Sequence, residues 1–250
     1  MRYEELIQDT TAQRTLPWHR ARLGKVTGSK VSDLMGKGRS KADRWSATAK
    51  KYIASIWGER YDLDPAMVAD DERFGDWLER TQKETRAMRW GTEHEDEARM
   101  MFQLLIGEDE VYGDTFGGLQ MKEVGSCEHP VIEGWNSSPD GVMVDANGYM
   151  VAAVEIKCPE PSTNSYYSLA IWDAESLKKE RPDYYYQCLS HMAVTGAQAC
   201  FFIWYDPDAY IKCKYILVPR DEEEMATLES RVAEALAIVE ARGSGLFRVA

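Results

Sequence analysis

The stretch from Ser138 to Lys157 constrains this chain more than any other. It opens Ser138-Pro139-Asp140-Gly141, runs through Val142, Met143 and Val144, breaks at Asn147-Gly148, and continues from Tyr149 to Glu155-Ile156-Lys157. Asn-Gly between two runs of β-formers is a tight-hairpin signal. Cys200-Phe201-Phe202-Ile203-Trp204-Tyr205 has no polar residue to turn toward water, as expected of a strand buried on both faces. Ile211 to Val218 reads as a further strand. These segments require a central sheet, and helices must cover it.

Helical signals surround the strands. Tyr3 to Asp9 reads as a short helix, and Thr27 or Ser29 can cap another through Val31 and Leu34. A helix is expected from Ser46 to Trp57, and two more around 73–88 and 91–106. Residues 163–195 return to helix, with Pro182 in a first turn. Asp221 caps a last helix, with Glu224 placed as in a capping box. Its apolar stripe is Met225, Leu228, Val232, Leu236 and Val239, a docking face. Gly36 to Ser40 reads as a basic loop, 58–72 as an acidic loop around Pro65, and the end after Gly243 as loose.

The expectation is an α/β fold with a mixed central β-sheet flanked by helices. At 250 residues one domain suffices: a mainly helical portion over 1–106, a sheet core over 107–220, and a C-terminal helix and tail over 221–250. No apolar run approaches the roughly 18 residues of a membrane span. The N-terminus lacks a secretory pattern. The five cysteines are scattered without C-x-x-C spacing, so they read as buried thiols of a cytoplasmic protein rather than disulfides, zinc or iron–sulfur ligands.

Net charge is −12, which as a total disfavours nucleic acid. Its distribution does not. Residues 1–60 carry a balance of +7 and the remainder −19. Two readings stay open: a basic face offered to a polyanion, or a basic segment that neutralises an acidic body.

The strand period of two puts Glu155 and Lys157 on one face and Ile156 on the other. A hairpin can bring Asp140 beside them. Two carboxylates and an ammonium suit phosphodiester hydrolysis. Magnesium takes one or two carboxylates and leaves the rest of its shell to phosphate and water. A pair of ions can clamp the attacking and leaving oxygens. A nearby lysine can orient or deprotonate the water. The Ile156 carbonyl is a further candidate ligand. The plain alternative is a turn aspartate and a surface Glu/Lys pair. Each element alone is common, and their conjunction favours the metal site.

In this order the motifs resemble the PD-(D/E)xK nuclease superfamily, and more closely its phage lambda exonuclease branch, the YqaJ-type viral recombinases. Trp18-His19-Arg20-Ala21-Arg22-Leu23-Gly24 with Thr27 and Ser29 resembles that family's opening motif. Trp90-Gly91-Thr92-Glu93-His94-Glu95 with Ala98, Arg99 and Phe102 resembles its acidic helix. Ser138 to Gly141 and Glu155 to Pro159 resemble its catalytic core. Gln187 with Met192, Val194 and Thr195 resembles the helix after that core, and Tyr205-Asp206-Pro207 the end of its buried strand.

The resemblance implies a restriction-endonuclease-like fold and a 5′-to-3′ exonuclease that degrades one strand of linear double-stranded DNA. The product is a 3′ overhang for recombination by single-strand annealing. It implies Asp140, Glu155, the Ile156 carbonyl and Glu95 as ligands of two Mg2+ ions, with Mn2+ a substitute. Lys157 is implied as the catalytic lysine and Gln187 as a supporting residue. Arg22, Ser29, Arg39 and Ser138 are implied as the pocket for the terminal 5′-phosphate. A homotrimeric ring, an annealing protein as partner, and a phage or prophage origin in a bacterial cytoplasm are implied with them. The acidic stretch 61–72 has no role in it. The alternatives are a related endonuclease or Cas4-like nuclease and, outside enzymes, an acidic DNA mimic. The mimic has no use for the basic segment or for Lys157.

Overall fold

A computed structural model describes residues 1–6, 12–38, 43–82 and 85–241. The first part is helical: α1 (Tyr3–Leu6), α2 (Leu16–Arg22), strand β1 (Val26–Thr27), a 3-10 helix (Gly28–Met35), α3 (Ala47–Tyr61), α4 (Pro65–Ala69), α5 (Asp71–Thr81), α6 (Arg86–Glu108) and α7 (Gly113–Phe116). Strands β2 (Gln120–Lys122), β3 (Cys127–Glu128), β4 (Trp135–Ser137), β5 (Gly141–Val144) and β6 (Met150–Lys157) come next. Then come α8 (Pro161–Ala170), α9 (Ala174–Glu180), α10 (Pro182–Thr195), β7 (Ala199–Tyr205), β8 (Cys213–Pro219) and α11 (Glu222–Glu240).

The central sheet has the order β2-β5-β6-β7-β8. The β6–β7 pair is parallel and the others antiparallel, so the sheet is mixed, as expected. The hairpin turns where the Asn-Gly signal sits: Gly148 takes φ 82°, and Asp145 Oδ1 accepts from the Asn147 and Tyr149 amides. A parallel pair needs a long crossover, and α8, α9 and α10 supply it. All seven residues of β7 are buried.

A smaller sheet, β1-β4-β3, lies apart. It carries no sequence signal, because strands of two or three residues show no period. It nonetheless delivers Trp135 and Ser137 to the interior.

The strand period sorts the core. Ala153, Cys200, Phe202 and Trp204 pack on the side of α3, α10 and α11. Ala152, Val154, Ile156, Phe201 and Ile203 pack on the side of α6 and α7. The α11 stripe is buried as expected, with Leu228, Val232 and Val239 fully enclosed.

Three expectations change. The stretch 58–72 is mostly helix rather than loop, because its acids cap helices. Asp64 accepts from the Ala66 amide, and Asp70 from those of Glu72 and Arg73. The helices expected at 73–88 and 91–106 divide at Thr81 and Arg86 instead. Asp221 does cap α11 through the Glu223 and Glu224 amides, but the Glu224 carboxylate accepts from Lys178 and Tyr186 rather than closing a box. The final residues, 242–250, and Arg39 and Ser40 of the Gly36–Ser40 loop lie outside the described residues. All five cysteines are buried and free. Among the described residues no helix is long and apolar enough to cross a membrane.

Arg231 on α11 fastens the N-terminal portion to this core. It is 5% exposed and donates to the carbonyls of Leu34 (2.8 Å), Gly36 (2.8 Å) and Arg44 (3.1 Å), with Trp45 stacked 4.2 Å away. Arg231→Met keeps most of the volume and strips the donors from three carbonyls. It is expected to cost about 2–3 kcal/mol, measured by urea unfolding.

Candidate active site

The β5–β6 register pairs Gly141 with Val154, which sets Asp140 opposite Glu155. Asp140 is held at three points. Its amide donates to the Val154 carbonyl at 3.0 Å. Its own carbonyl accepts from Arg99 Nε at 3.1 Å. Its Oδ2 accepts from the Ile156 amide at 2.7 Å.

Glu155 and Lys157 share the face of β6 that looks at α10, as the period of two requires. Glu155 has no exposed surface. One carboxylate oxygen is ion-paired with Lys157. The other meets His191 Nε2 at 2.5 Å, and His191 Nδ1 meets Ser137 Oγ at 2.8 Å. Ser137 and His191 are themselves fully buried. A Ser137 hydroxyl donating to Nδ1 fixes the tautomer that donates from Nε2 to Glu155.

Burial pushes the Glu155 carboxyl up, but Lys157 and then His191 outweigh it, and its pKa is lowered. Burial alone would lower the Lys157 pKa, yet Glu155 and Asp140 raise it above the ordinary lysine value. Lys157 is therefore a cation here, 5.0 Å from the Tyr184 ring. Asp140 goes the other way. Burial, then Glu155, then Glu95 raise its pKa well above the usual carboxylate range.

These groups line or underlie a cleft of about 510 Å³ bounded by Arg14, Glu95, Asp140, Ile156, Lys157 and Tyr184. Helix α6 brings in Glu95, whose oxygens pair with Arg14 at 2.5 Å and Arg99 at 3.1 Å. Of the consecutive tyrosines only Tyr184 reaches this cleft. Tyr185 lies beside Lys178, and Tyr186 beside Glu224.

The donors fit a hard divalent cation. They are oxygens, and the raised Asp140 pKa records negative charge converging where water cannot screen it. Among the described residues no three His, Cys, Asp or Glu side chains stand together tightly enough to hold an ion unaided. Glu155 and Glu95 instead face cationic side chains. The set suits a magnesium-type site that substrate phosphate and water complete.

A second cluster adjoins the first. Arg22 Nη1 donates to Ser138 Oγ at 2.9 Å, and the Trp18 indole donates to the same oxygen at 3.2 Å. The guanidinium lies 4.1 Å from the Trp18 ring. Burial pushes the Arg22 pKa down to about 10. Among the described residues no carboxylate pairs with it. A poorly hydrated guanidinium without a counter-charge is a ready anion site.

Ser29 lies in the first turn of the 3-10 helix. It is exposed, and its side chain makes no hydrogen bond among the described residues. Its neighbour Gly28 packs so tightly that a Cβ would come 2.0 Å from Ser137 Oγ. Arg39 lies outside the described residues. Gln187 is half-buried on α10, one turn before His191, and no hydrogen bond joins it to the carboxylates among the described residues. His94 is bonded to its own helix through the Trp90 carbonyl at 2.9 Å. His129 is stacked on Trp135 and accepts from the Val131 and Ile132 amides.

Sequence reasoning missed Ser137, His191 and Arg14. The helical period places His191 on the face of Tyr184 and Cys188, toward the sheet, which was the one available signal. Ser137 lacked any, being hidden in a three-residue strand. Arg14 has φ 67°, the one positive value of a non-glycine among the described residues. Such backbone strain costs on the order of 1–3 kcal/mol, whereas an ion pair this exposed returns about 1 kcal/mol or less.

His191→Phe leaves Glu155 buried with one partner instead of two. It is expected to destabilise the fold by about 3–5 kcal/mol in chemical denaturation. His191→Gln, which offers an amide donor near the position of Nε2, recovers part of the loss.

Residues 17–198 match the model of the YqaJ-like viral recombinase domain. Among solved structures the chain is similar to an alkaline exonuclease, LHK-Exo, from Laribacter hongkongensis. Identity is 31% over 94% of this chain and 97% of that one, with a TM-score of 0.67. The same exonuclease in complex with dAMP gives 0.66. A phage-related exonuclease from Haemophilus somnus 129PT shares the fold at 15% identity, covering 88% of this chain and 95% of that one, with a TM-score of 0.59. No curated protein matches the sequence.

Proposed function

The chain belongs to the family of the YqaJ-like viral recombinase domain, and from that premise we propose that it is a metal-dependent 5′-to-3′ exonuclease of linear double-stranded DNA. The observation that carries the reading is the adjacency of two sites. Ser138, which bonds Arg22, is two residues from Asp140, so their Cα atoms are at most about 7 Å apart. A terminal 5′-phosphate held at Arg22 and Ser138 puts the next phosphodiester of the same strand over Asp140 and Lys157. Hydrolysis there releases one nucleotide from the 5′ end, leaves a 3′ overhang, and presents a new 5′ end to the pocket. The similar exonuclease described in complex with dAMP supports this, since a nucleoside monophosphate is the expected product.

Asp140, Glu155, the Ile156 carbonyl and Glu95 would hold Mg2+, as two ions, with Mn2+ able to substitute. The ions supply Lewis-acid polarisation of the phosphate and a more acidic water. Lys157, kept protonated by its carboxylate neighbours, donates to the attacking water or to a phosphate oxygen and offsets the charge that builds there. His191 and Ser137 keep Glu155 in place. Arg22 bears the terminal phosphate, with Ser29 and Arg39 as further contacts and Gln187 in support. The same reading includes a homotrimer ringing the duplex, a single-strand annealing protein that takes the overhang, and a phage-type role in a bacterial cytoplasm.

The test is a 5′-phosphorylated linear duplex with Mg2+, with and without chelator, beside a covalently closed circle. The 5′-ended strands are expected to shorten, the circle to stay intact, and chelator to stop the reaction. Cutting of the circle would favour an endonuclease. Lys157→Ala is expected to lower hydrolysis by about 10²–10⁴-fold while DNA binding survives. Digestion by this variant at the wild-type rate would remove Lys157 from its role. A duplex without the terminal phosphate is expected to be digested more slowly.

A further inference from the structure

The turn that holds Arg14 does not need an arginine. Its anchor is the preceding residue: the Gln13 side-chain amide donates to the Val124 carbonyl at 3.0 Å and to the Pro139 carbonyl at 2.9 Å. The backbone at position 14 is left-handed, at φ 67°, where glycine sits without strain. What arginine adds is a guanidinium at the mouth of the cleft, half exposed.

Nor does Glu95 need Arg14. Its other oxygen already pairs with Arg99, a well-buried arginine that also binds Asp96, Glu123 and the Asp140 carbonyl. Arg99 is fixed in the framework. Arg14 reaches the same carboxylate from a strained backbone and borders the cleft with Asp140 and Lys157.

We propose that Arg14 is a substrate-binding residue whose guanidinium takes a backbone phosphate of the DNA strand entering the cleft, with Glu95 holding it in place until the strand arrives. The inference rests on the nuclease reading and adds a contact to it. A guanidinium offers two parallel donors to phosphate oxygens. An ion pair with a half-exposed side chain is weak enough to be exchanged for that contact. The exchange also frees one Glu95 oxygen. The contact is to backbone, so it strengthens binding to any sequence alike.

Arg14→Gly separates this role from a structural one, because glycine relieves the strain. Binding of a fluorescently labelled, 5′-phosphorylated linear duplex is followed by anisotropy over a range of salt, with Ca2+ in place of Mg2+ to spare the strand. Thermal melting is measured alongside. R14G is expected to melt at or above the wild-type temperature. Its affinity is expected to fall about ten-fold, the worth of one charge-assisted hydrogen bond. The slope of log affinity against log salt is expected to shrink by about 0.9, one phosphate contact. Arg14→Lys is expected to keep the slope and lose part of the affinity. Wild-type affinity and slope in R14G would overturn the inference, as would a lowered melting temperature, which would make Arg14 structural. A wild-type protein that neither binds nor digests linear duplex would instead sink the nuclease reading. Digestion by wild type beside an unchanged R14G would sink only the role of Arg14.

Discussion

Glu155 is a carboxylate with no exposed surface, and removing one of its partners leaves a charge that a protein interior tolerates poorly. Much of the architecture around it supplies those partners. The strand period turns Lys157 to the same face. Helix α10, returning between the parallel strands β6 and β7, brings His191 Nε2 to 2.5 Å. The small sheet brings Ser137, which completes the hydrogen bonding of the imidazole. Gly28 lacks the Cβ that would collide with that serine. Four separate parts of the chain thus meet at one ionised group.

The ion pairs give the neutralising reading of the charge distribution a structural form. Several cations of the first 60 residues join the N-terminal portion to the acidic body: Arg20 to Asp71, Lys25 to Glu128, Arg44 to Glu234 and Arg60 to Glu240. Pairs this exposed contribute little stability each. Two further arginines lie at the candidate site. Arg22 faces a serine hydroxyl and a tryptophan ring without a carboxylate partner among the described residues. Arg14 faces the cleft. The acids of 61–72 likewise acquire a purpose: Asp64 and Asp70 cap helices, and Asp71 receives Arg20.

What was legible obeyed local rules. Alternation along β6 put Glu155 and Lys157 together. The Asn-Gly turn brought Asp140 back beside them. The apolar run at 200–205 made β7 interior. The acidic stretch 58–72 reads as loop when its aspartates are counted as charges rather than caps. The strands holding Ser137 and Trp135 are too short to show a period. Arg14 gives no signal, because a left-handed backbone at a non-glycine residue is visible only in three dimensions.

The sequence by itself determined the mixed sheet, the hairpin, and the face shared by Asp140, Glu155 and Lys157. Period and turn chemistry are properties of the backbone over a few residues. Only the tertiary structure decided that His191 and Ser137 complete Glu155, that Arg14 meets Glu95, and that Ser138 joins Arg22 two residues from Asp140. Most of those contacts join residues far apart in the chain, 116 positions in the case of Arg22 and Ser138. They depend on how α2, α6, α10 and the small sheet pack against β5 and β6, which no local period encodes.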